Sequence, residues 1–280
     1  MSIQKRRELL AAIGERRGSF VVSYFLGNRP GAQTRMFGDA LTYLYKHLRQ
    51  VTADRKTNLD LFLFSDGGDI EVPWRITSMF REIGRQFGVL IPYRAMSAAT
   101  LVTISADEIV MTPKAELGPI DPSITIQKTT GQQEEISVED VVAYFEFLDK
   151  RAGIRDQSAL SAATNIMAEK LTPLLLGKVH RVHSHIREVA RKMLESRTKR
   201  LDDRITEAII ATLAEETRSH GHAIGRNEGR TIGLPIIKDD PELEALLWNL
   251  YLEYEQDFEL LDPINPHEDM FQNEDRITVD

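Results

Sequence analysis

The chain has 280 residues, a mass of 31.8 kDa, 42% apolar and 28% charged residues, and a formal net charge of -8. That balance excludes a collagen-like, a disordered and a disulfide-stapled chain, and the length suffices for a sizeable core. The absence of cysteine excludes disulfides, Cys-ligated zinc, iron–sulfur clusters and a thiol nucleophile.

Residues 1–17 are basic and helical in tendency, and no apolar run of signal-peptide type follows them. No window approaches 18 uncharged apolar residues, so no integral membrane segment is expected and a cytoplasmic location is. Residues 20–26 read as a buried strand, broken by Gly27, Pro30 and Gly31. Residues 36–49 repeat Leu41, Leu44, Tyr45 and Leu48 at helical spacing. Residues 59–64 form a second strand that runs into Ser65, Asp66, Gly67, Gly68 and Asp69. A helix is expected over 72–86, with Pro73 in its first turn, then a strand over 88–92. A short helix of small residues begins near Ser97, and residues 107–111 form a fourth strand. This alternation predicts parallel α/β units with right-handed crossovers. The near-continuous apolar strands predict a sheet covered on both faces.

Residues 127–139 are polar and read as a surface loop or excursion. Helices are expected over 138–151, 156–169, 173–197 and 203–219, a break or short strand over 225–234, and a last helix over 241–259. Charge is uneven along this order. Residues 239–280 carry 14 acids against Arg276 alone, a net -13, which leaves +5 on the rest. The basic stretch 170–204 lacks interleaved aromatics, so nucleic acid is not an expected partner, and a solvated or subunit-facing helix is. The division expected is a basic helical segment 1–17, a main domain 18–235, a helix 236–261 and an acidic tail 262–280.

Two loops at the carboxyl ends of neighbouring strands carry the chemistry. In residues 66–69, adjacent Gly67 and Gly68 either turn the chain or expose N–H groups to an oxyanion. In residues 93–100, Ser97 stands among small residues between a strand and a helix. It is either a helix cap or a nucleophile accessible to a carbonyl. The pattern is not the Gly-x-Ser-x-Gly elbow of ordinary hydrolases.

Asp66, Gly67 and Gly68, the run Met96, Ser97, Ala98, Ala99 and Thr100, and the segments 106–111 and 117–122 together resemble the core of the ClpP/crotonase superfamily. The similarity is greatest to the signal-peptide-peptidase A and serine-dehydrogenase-proteinase branch, and segments 172–177 and 219–226 extend it over most of the chain. Related serine turns read Ser-Ala-Gly, whereas position 99 here is Ala. The resemblance implies an α/β fold, a ClpP/crotonase-like spiral of ββα units with a helical C-terminal half. It implies peptide hydrolysis through an acyl-enzyme on Ser97, with N–H groups near Gly67, Gly68 and Ala98 as the oxyanion hole, and rings of identical subunits. The expected partners are therefore a peptide or unfolded protein and further copies of the chain. No cofactor is expected.

The base stays open on the sequence. By resemblance it is a lysine (Lys178, two turns into its helix, ahead of Lys170), a histidine at a helix start (His180 or His183), or a triad in the order Ser97, Asp121 or Asp107, and His222 or His220. Lysine serves as a base when burial strips its proton. His180 and His183 share a helix face, but no His-Glu-x-x-His pattern exists, and no metal is expected. The alternatives are a family member that assembles or regulates without catalysis, and an acyl-CoA enzyme of crotonase type stabilising an enolate.

Overall fold

A strand that is apolar at every position needs cover on both faces. Residues 59–64 are such a run but for Asp60, and they lie inside a parallel sheet in the computed structural model, which describes residues 3–51, 56–120, 123–127, 133–216 and 223–264. The sheet has the order β1 (Ser19–Phe25), β2 (Asn58–Phe64), β3 (Phe87–Ile91) and β5 (Glu108–Met111), with the short β4 (Arg94–Ala95) outside it. Alternate side chains point to opposite faces. Leu59, Leu61, Leu63, Val89 and Ile91 meet α2 (Ala40–Leu48), α3 (Val72–Ile83) and α4 (Ala98–Ile104). Phe62, Phe64, Leu90 and Val110 meet α1 (Ile3–Arg17) and α10 (Pro241–Asp257) through Ile13, Leu247, Tyr251 and Tyr254.

A second ladder runs beside the carboxyl ends of the main strands. Met36, after β1, bridges Gly68, and Ser65, after β2, bridges Ala95. β4, after β3, pairs with β6 (Glu116–Leu117), which follows β5, and β6 pairs antiparallel with β9 (Ile224–Gly225). Long strand, short extended piece and helix therefore recur from unit to unit, which is the ββα repetition expected. The helical half contains α5 (Val138–Glu146), α6 (Gln157–Lys170), α7 (Pro173–Glu195), α8 (Asp203–Ala211) and α9 (Arg226–Thr231). Ser137, Asp156, Thr172 and Asp202 cap α5 to α8 through their side chains.

Several expectations shift. Within the polar stretch 127–139, residues 133–137 form a strand, β8 (Gln133–Ser137), paired antiparallel with β7 (Ser123–Gln127), while 128–132 lie outside the described residues. Ile124 of β7 is buried with Val138, Val141, Leu171 and Val179 in a separate small core, so few apolar residues sufficed. The helix expected from 36 begins at Ala40, because Met36 is fully buried in an extended bridge and Asp39 accepts from the Ala40 N–H. The 138–151 helix ends in a π-helical turn over Phe147–Arg151. The acidic tail beyond 264 lies outside the described residues.

The charge asymmetry is partly answered within the chain. On α1, Arg16 pairs with Asp240 at 2.6 Å and with Glu242, Lys5 with Glu253, and Arg6 with Asp257, all at or on α10. The basic stretch is likewise engaged. Arg187 and Arg191 meet Glu207 of α8, and Lys192 lies 3.7 Å from the Trp74 ring centre.

Two polar groups pin the amino ends of the strands. Asp60, buried on β2, accepts from Arg17 Nε at 2.9 Å and from the Ser19 hydroxyl at 2.7 Å, and Arg17 reaches across to Glu108 at 2.8 Å. Gly88 lies between Asp60 and Glu108 on this row, and a Cβ there would come within 1.9 Å of Asp60 Oδ1. Gly88→Ala is therefore expected to cost about 3 kcal/mol, read from the midpoint of urea unfolding, since the clash falls on a buried ion-paired carboxylate. Asp107 accepts from Phe87 N at 3.0 Å and Thr198 N at 2.7 Å and pairs with Arg81. Burial pushes its carboxyl up, but Arg81 and the two N–H groups outweigh this and hold it below 3.8. A depressed carboxyl stabilises the fold fully above its unfolded pKa, and that contribution is lost as pH falls through the folded value. Stability should thus fall below about pH 4 in the parent, and Asp107→Asn should lower stability at pH 7 and flatten this acid limb in melts taken across pH.

Candidate active site

The site is built on the second ladder. Ser65 N–H donates to Arg94 O and Met96 N–H to Ser65 O at 2.9 Å, so the loop after β2 and the loop after β4 leave side by side. Gly67 has φ +98°, and a Cβ on it would meet Met96 O at 2.7 Å and Ser97 Cβ at 2.8 Å. Only glycine lets the loops approach so closely. At Gly68 a Cβ would fall 2.3 Å from Met36 O, because Met36 N–H donates to Gly67 O and Asp69 N–H to Met36 O. Three loops thus converge on the glycine pair.

Ser97 follows, half-buried, at φ 51° and ψ -114°. A non-glycine residue at positive φ costs on the order of 1–3 kcal/mol and persists only where its surroundings hold it. The holding is visible. The fully buried Thr100 hydroxyl lies 2.9 Å from Ala95 O and 2.8 Å from Gly118 O, and Ala99 N–H donates to Met96 O. Ala99 is fully buried inside α4. Ser97 occupies the N-cap position, yet its hydroxyl makes no capping hydrogen bond. The structure therefore departs from the helix-cap reading of this serine.

The expected oxyanion donors divide. Gly67 N–H donates to the Ser65 hydroxyl at 2.9 Å, so Gly67 contributes its missing side chain rather than its N–H. The N–H groups of Gly68 and Ala98 have no acceptor among the described residues. Around them runs a set of contacts that sequence reasoning missed. Asp66 pairs with Arg94 (Nε to Oδ1 2.8 Å) and accepts from Asn28, whose Oδ1 accepts from Thr34 N at 2.7 Å. The signal was an acid beside the glycine pair and an arginine three residues before the serine, opposite charges at matching places in two loops.

The candidate bases are spread out. Lys178 is on the exposed face of α7, and Lys170 is the last residue of α6. His180 and His183 line a cleft of about 270 Å³ between α5 and α7 with Val141, Phe145 and Leu176. Burial, with Arg187 and His180 nearby, lowers the His183 pKa. Asp107 is corrected as a triad candidate. It sits at the amino end of β5 in the Arg81 ion pair, whereas Ser97 follows the carboxyl end of β3. Asp121, His220 and His222 lie outside the described residues. Their neighbours are informative, because Ile224 pairs with Leu117 on β6, the strand beside the one that leads into Ser97. Among the described residues no group of three or more His, Asp or Glu side chains is arranged to hold a metal, and no helix is long and apolar enough to cross a membrane.

Two uncharacterized proteins of Methanocaldococcus jannaschii are similar to the chain. One is 26% identical over 206 residues, 73% of this chain and 62% of its own length. The other is 36% identical over 66 residues, 24% of this chain and 23% of its own length. The chain thus spans about three fifths of the first relative and under a quarter of the second. Among solved structures, the 1510-N membrane-bound stomatin-specific protease in complex with a substrate peptide matches at 12% identity and TM-score 0.47, covering 80% of this chain and 77% of its own. ClpP1 from Listeria monocytogenes matches at 13% identity and TM-score 0.41, covering 85% and 98%. The family model for ClpP-like SDH-type serine proteinases matches residues 1–262. With that match over nearly the whole length, the chain belongs to the ClpP-like SDH-type serine proteinases.

Proposed function

We propose that the protein hydrolyses peptide bonds through an acyl-enzyme on Ser97. The observation that carries this reading is the conformation of Ser97. It is held at positive φ against Gly67, with a hydroxyl that does no capping. In the proposed reaction the Ser97 oxygen attacks the scissile carbonyl carbon and its proton passes to a base. The developing oxyanion accepts from the Gly68 and Ala98 N–H groups, the two donors with no acceptor among the described residues. The base then protonates the departing amine as the C–N bond breaks. Water attacks the ester through the same base and returns the proton to Ser97.

For the base we favour His222, with Asp121 as its carboxylate partner. The support is the β6–β9 pairing, which holds the chain two residues past His222 beside β6, the strand that pairs with β4 just ahead of Ser97. Lys178 and Lys170 are the competing bases. We also propose that the substrate is an unfolded or extended polypeptide and that the chain self-associates. Leu174, Ile166 and Phe147 are 87%, 61% and 57% exposed on the α5–α7 region, large apolar side chains facing outward.

Ser97→Ala should lower turnover of an unstructured protein by at least about 10³-fold with fold retained, because nucleophile and base act as one unit. His222→Ala should cost about as much as Ser97→Ala, and the parent's pH profile should show a limb near pH 6–7. A comparable loss in Lys178→Ala or Lys170→Ala instead, with activity climbing into alkaline pH, would move the base to lysine. Undiminished hydrolysis by Ser97→Ala would end the reading. Light scattering at micromolar concentration should give a mass that is a multiple of 31.8 kDa, and a steady single-chain mass would remove the self-association.

A further inference from the structure

The Ser65–Ala95 bridge joins the two site loops at their roots, and each loop departs directly beyond it. A charged side chain stands next to each bridge partner: Asp66 follows Ser65, and Arg94 precedes Ala95. The two face each other across the same rung, with Arg94 Nε 2.8 Å from Asp66 Oδ1 and Nη2 3.3 Å from Oδ2. The guanidinium lies over two rings, 5.6 Å from the Phe64 centre and 5.3 Å from that of Tyr93. Those rings are stacked at 5.9 Å, and Tyr93 meets Tyr251 of α10 edge-on. Asp66 also accepts from Asn28, in the loop that leads to Met36, and Met36 bridges Gly68.

An exposed ion pair contributes little to stability, so a bare salt bridge would have small effect. Here both partners are about two-thirds shielded, the ion pair at 2.8 Å is joined by one hydrogen bond from Nη2 to Oδ2, and the cation lies over two aromatic rings. We propose that Arg94 is a positioning residue. Through Asp66 it clamps the Gly67–Gly68 loop to the Ser97 loop and sets the spacing between the Gly68 and Ala98 N–H groups and the serine oxygen. The inference rests on Ser97 being the nucleophile, since only that reading makes the spacing matter for a reaction. Arginine suits this place better than lysine because its extended guanidinium comes close to both carboxylate oxygens while its central carbon lies over two rings, which a compact ammonium does not do.

The test uses the full chain with Asp66→Asn, Arg94→Gln, Arg94→Lys and the Asp66→Asn/Arg94→Gln double variant. Turnover of fluorescein-labelled casein should fall about 100-fold in kcat for Asp66→Asn and for Arg94→Gln, because a displacement of about 1 Å costs that much. KM should stay within about twofold, Arg94→Lys should recover part of the loss, and the double variant should be no worse than the worse single, as coupled partners require. Amide hydrogen exchange gives a readout that needs no activity. In Asp66→Asn, exchange over residues 93–100 should quicken at least about tenfold while β5 keeps the parent rate, as a local opening predicts. Unchanged exchange over 93–100, an equal rise across the sheet, or additive losses in the double variant would each overturn the clamp. Ser97→Ala separates the two claims. If it still hydrolyses casein, the nucleophile reading falls, and the exchange measurement continues to judge the clamp by itself.

Discussion

The backbones at Gly67 and at Met96 to Ala98 run closer together than two side-chain-bearing residues allow, and the rest of the site depends on that approach. A methyl group on Gly67 would strike a carbonyl oxygen and the Ser97 β-carbon at once. With no side chain there, Ser65 and Ala95 pair, the loops leave in register, and the N–H groups of Gly68 and Ala98 stand without acceptors among the described residues. The strained φ of Ser97 follows from the same crowding. The chain must turn from β4 into α4 within two residues, while Thr100 ties the carbonyls of Ala95 and Gly118 beneath it.

That arrangement needs a stiff support, and the sheet supplies it. Both faces of β2 and β3 are covered, one by α2, α3 and α4 and the other by α1 and α10, so neither strand can slide without uncovering apolar surface. The amino ends are fastened by Arg17, Asp60 and Glu108 on one row and by Arg81 with Asp107 on another. The carboxyl ends are left to the loops and the chemistry. Polar groups that look alike in sequence therefore divide by strand end, and this division makes Asp107 a structural anchor.

The glycine pair and the serine were legible in the sequence because their residue types are demanding. Adjacent glycines and a serine among alanines, each at the end of an apolar run, mark turns, and the resemblance of the combined motifs gave them a chemical reading beyond a plain turn or a helix cap. The main strands were legible to within a residue or two for a similar reason, since continuous burial leaves a continuous apolar run. The second ladder was not legible, as its members are two residues long or single bridges and two residues establish no period. The β7–β8 pair was missed because its small core takes Ile124 with Ile136 at its edge, isolated apolar residues within a mostly polar stretch. Arg94 was passed over because nothing local says that an arginine will fold back onto Phe64 and Asp66, thirty residues upstream.

The sequence by itself determined the strand and helix order, the doubly covered sheet, the glycine and serine turns and the family they resemble. All of these are set by local residue type and by periodicity along the chain. Only the tertiary structure decided which N–H groups stay unpaired, that the Ser97 hydroxyl does not cap its helix, that Asp107 belongs to the far end of the sheet, and that the acids of α10 answer the bases of α1. Each of those facts depends on atoms brought together across tens or hundreds of residues. Such a contact is chosen by the packing of whole elements against one another, and no local pattern encodes it.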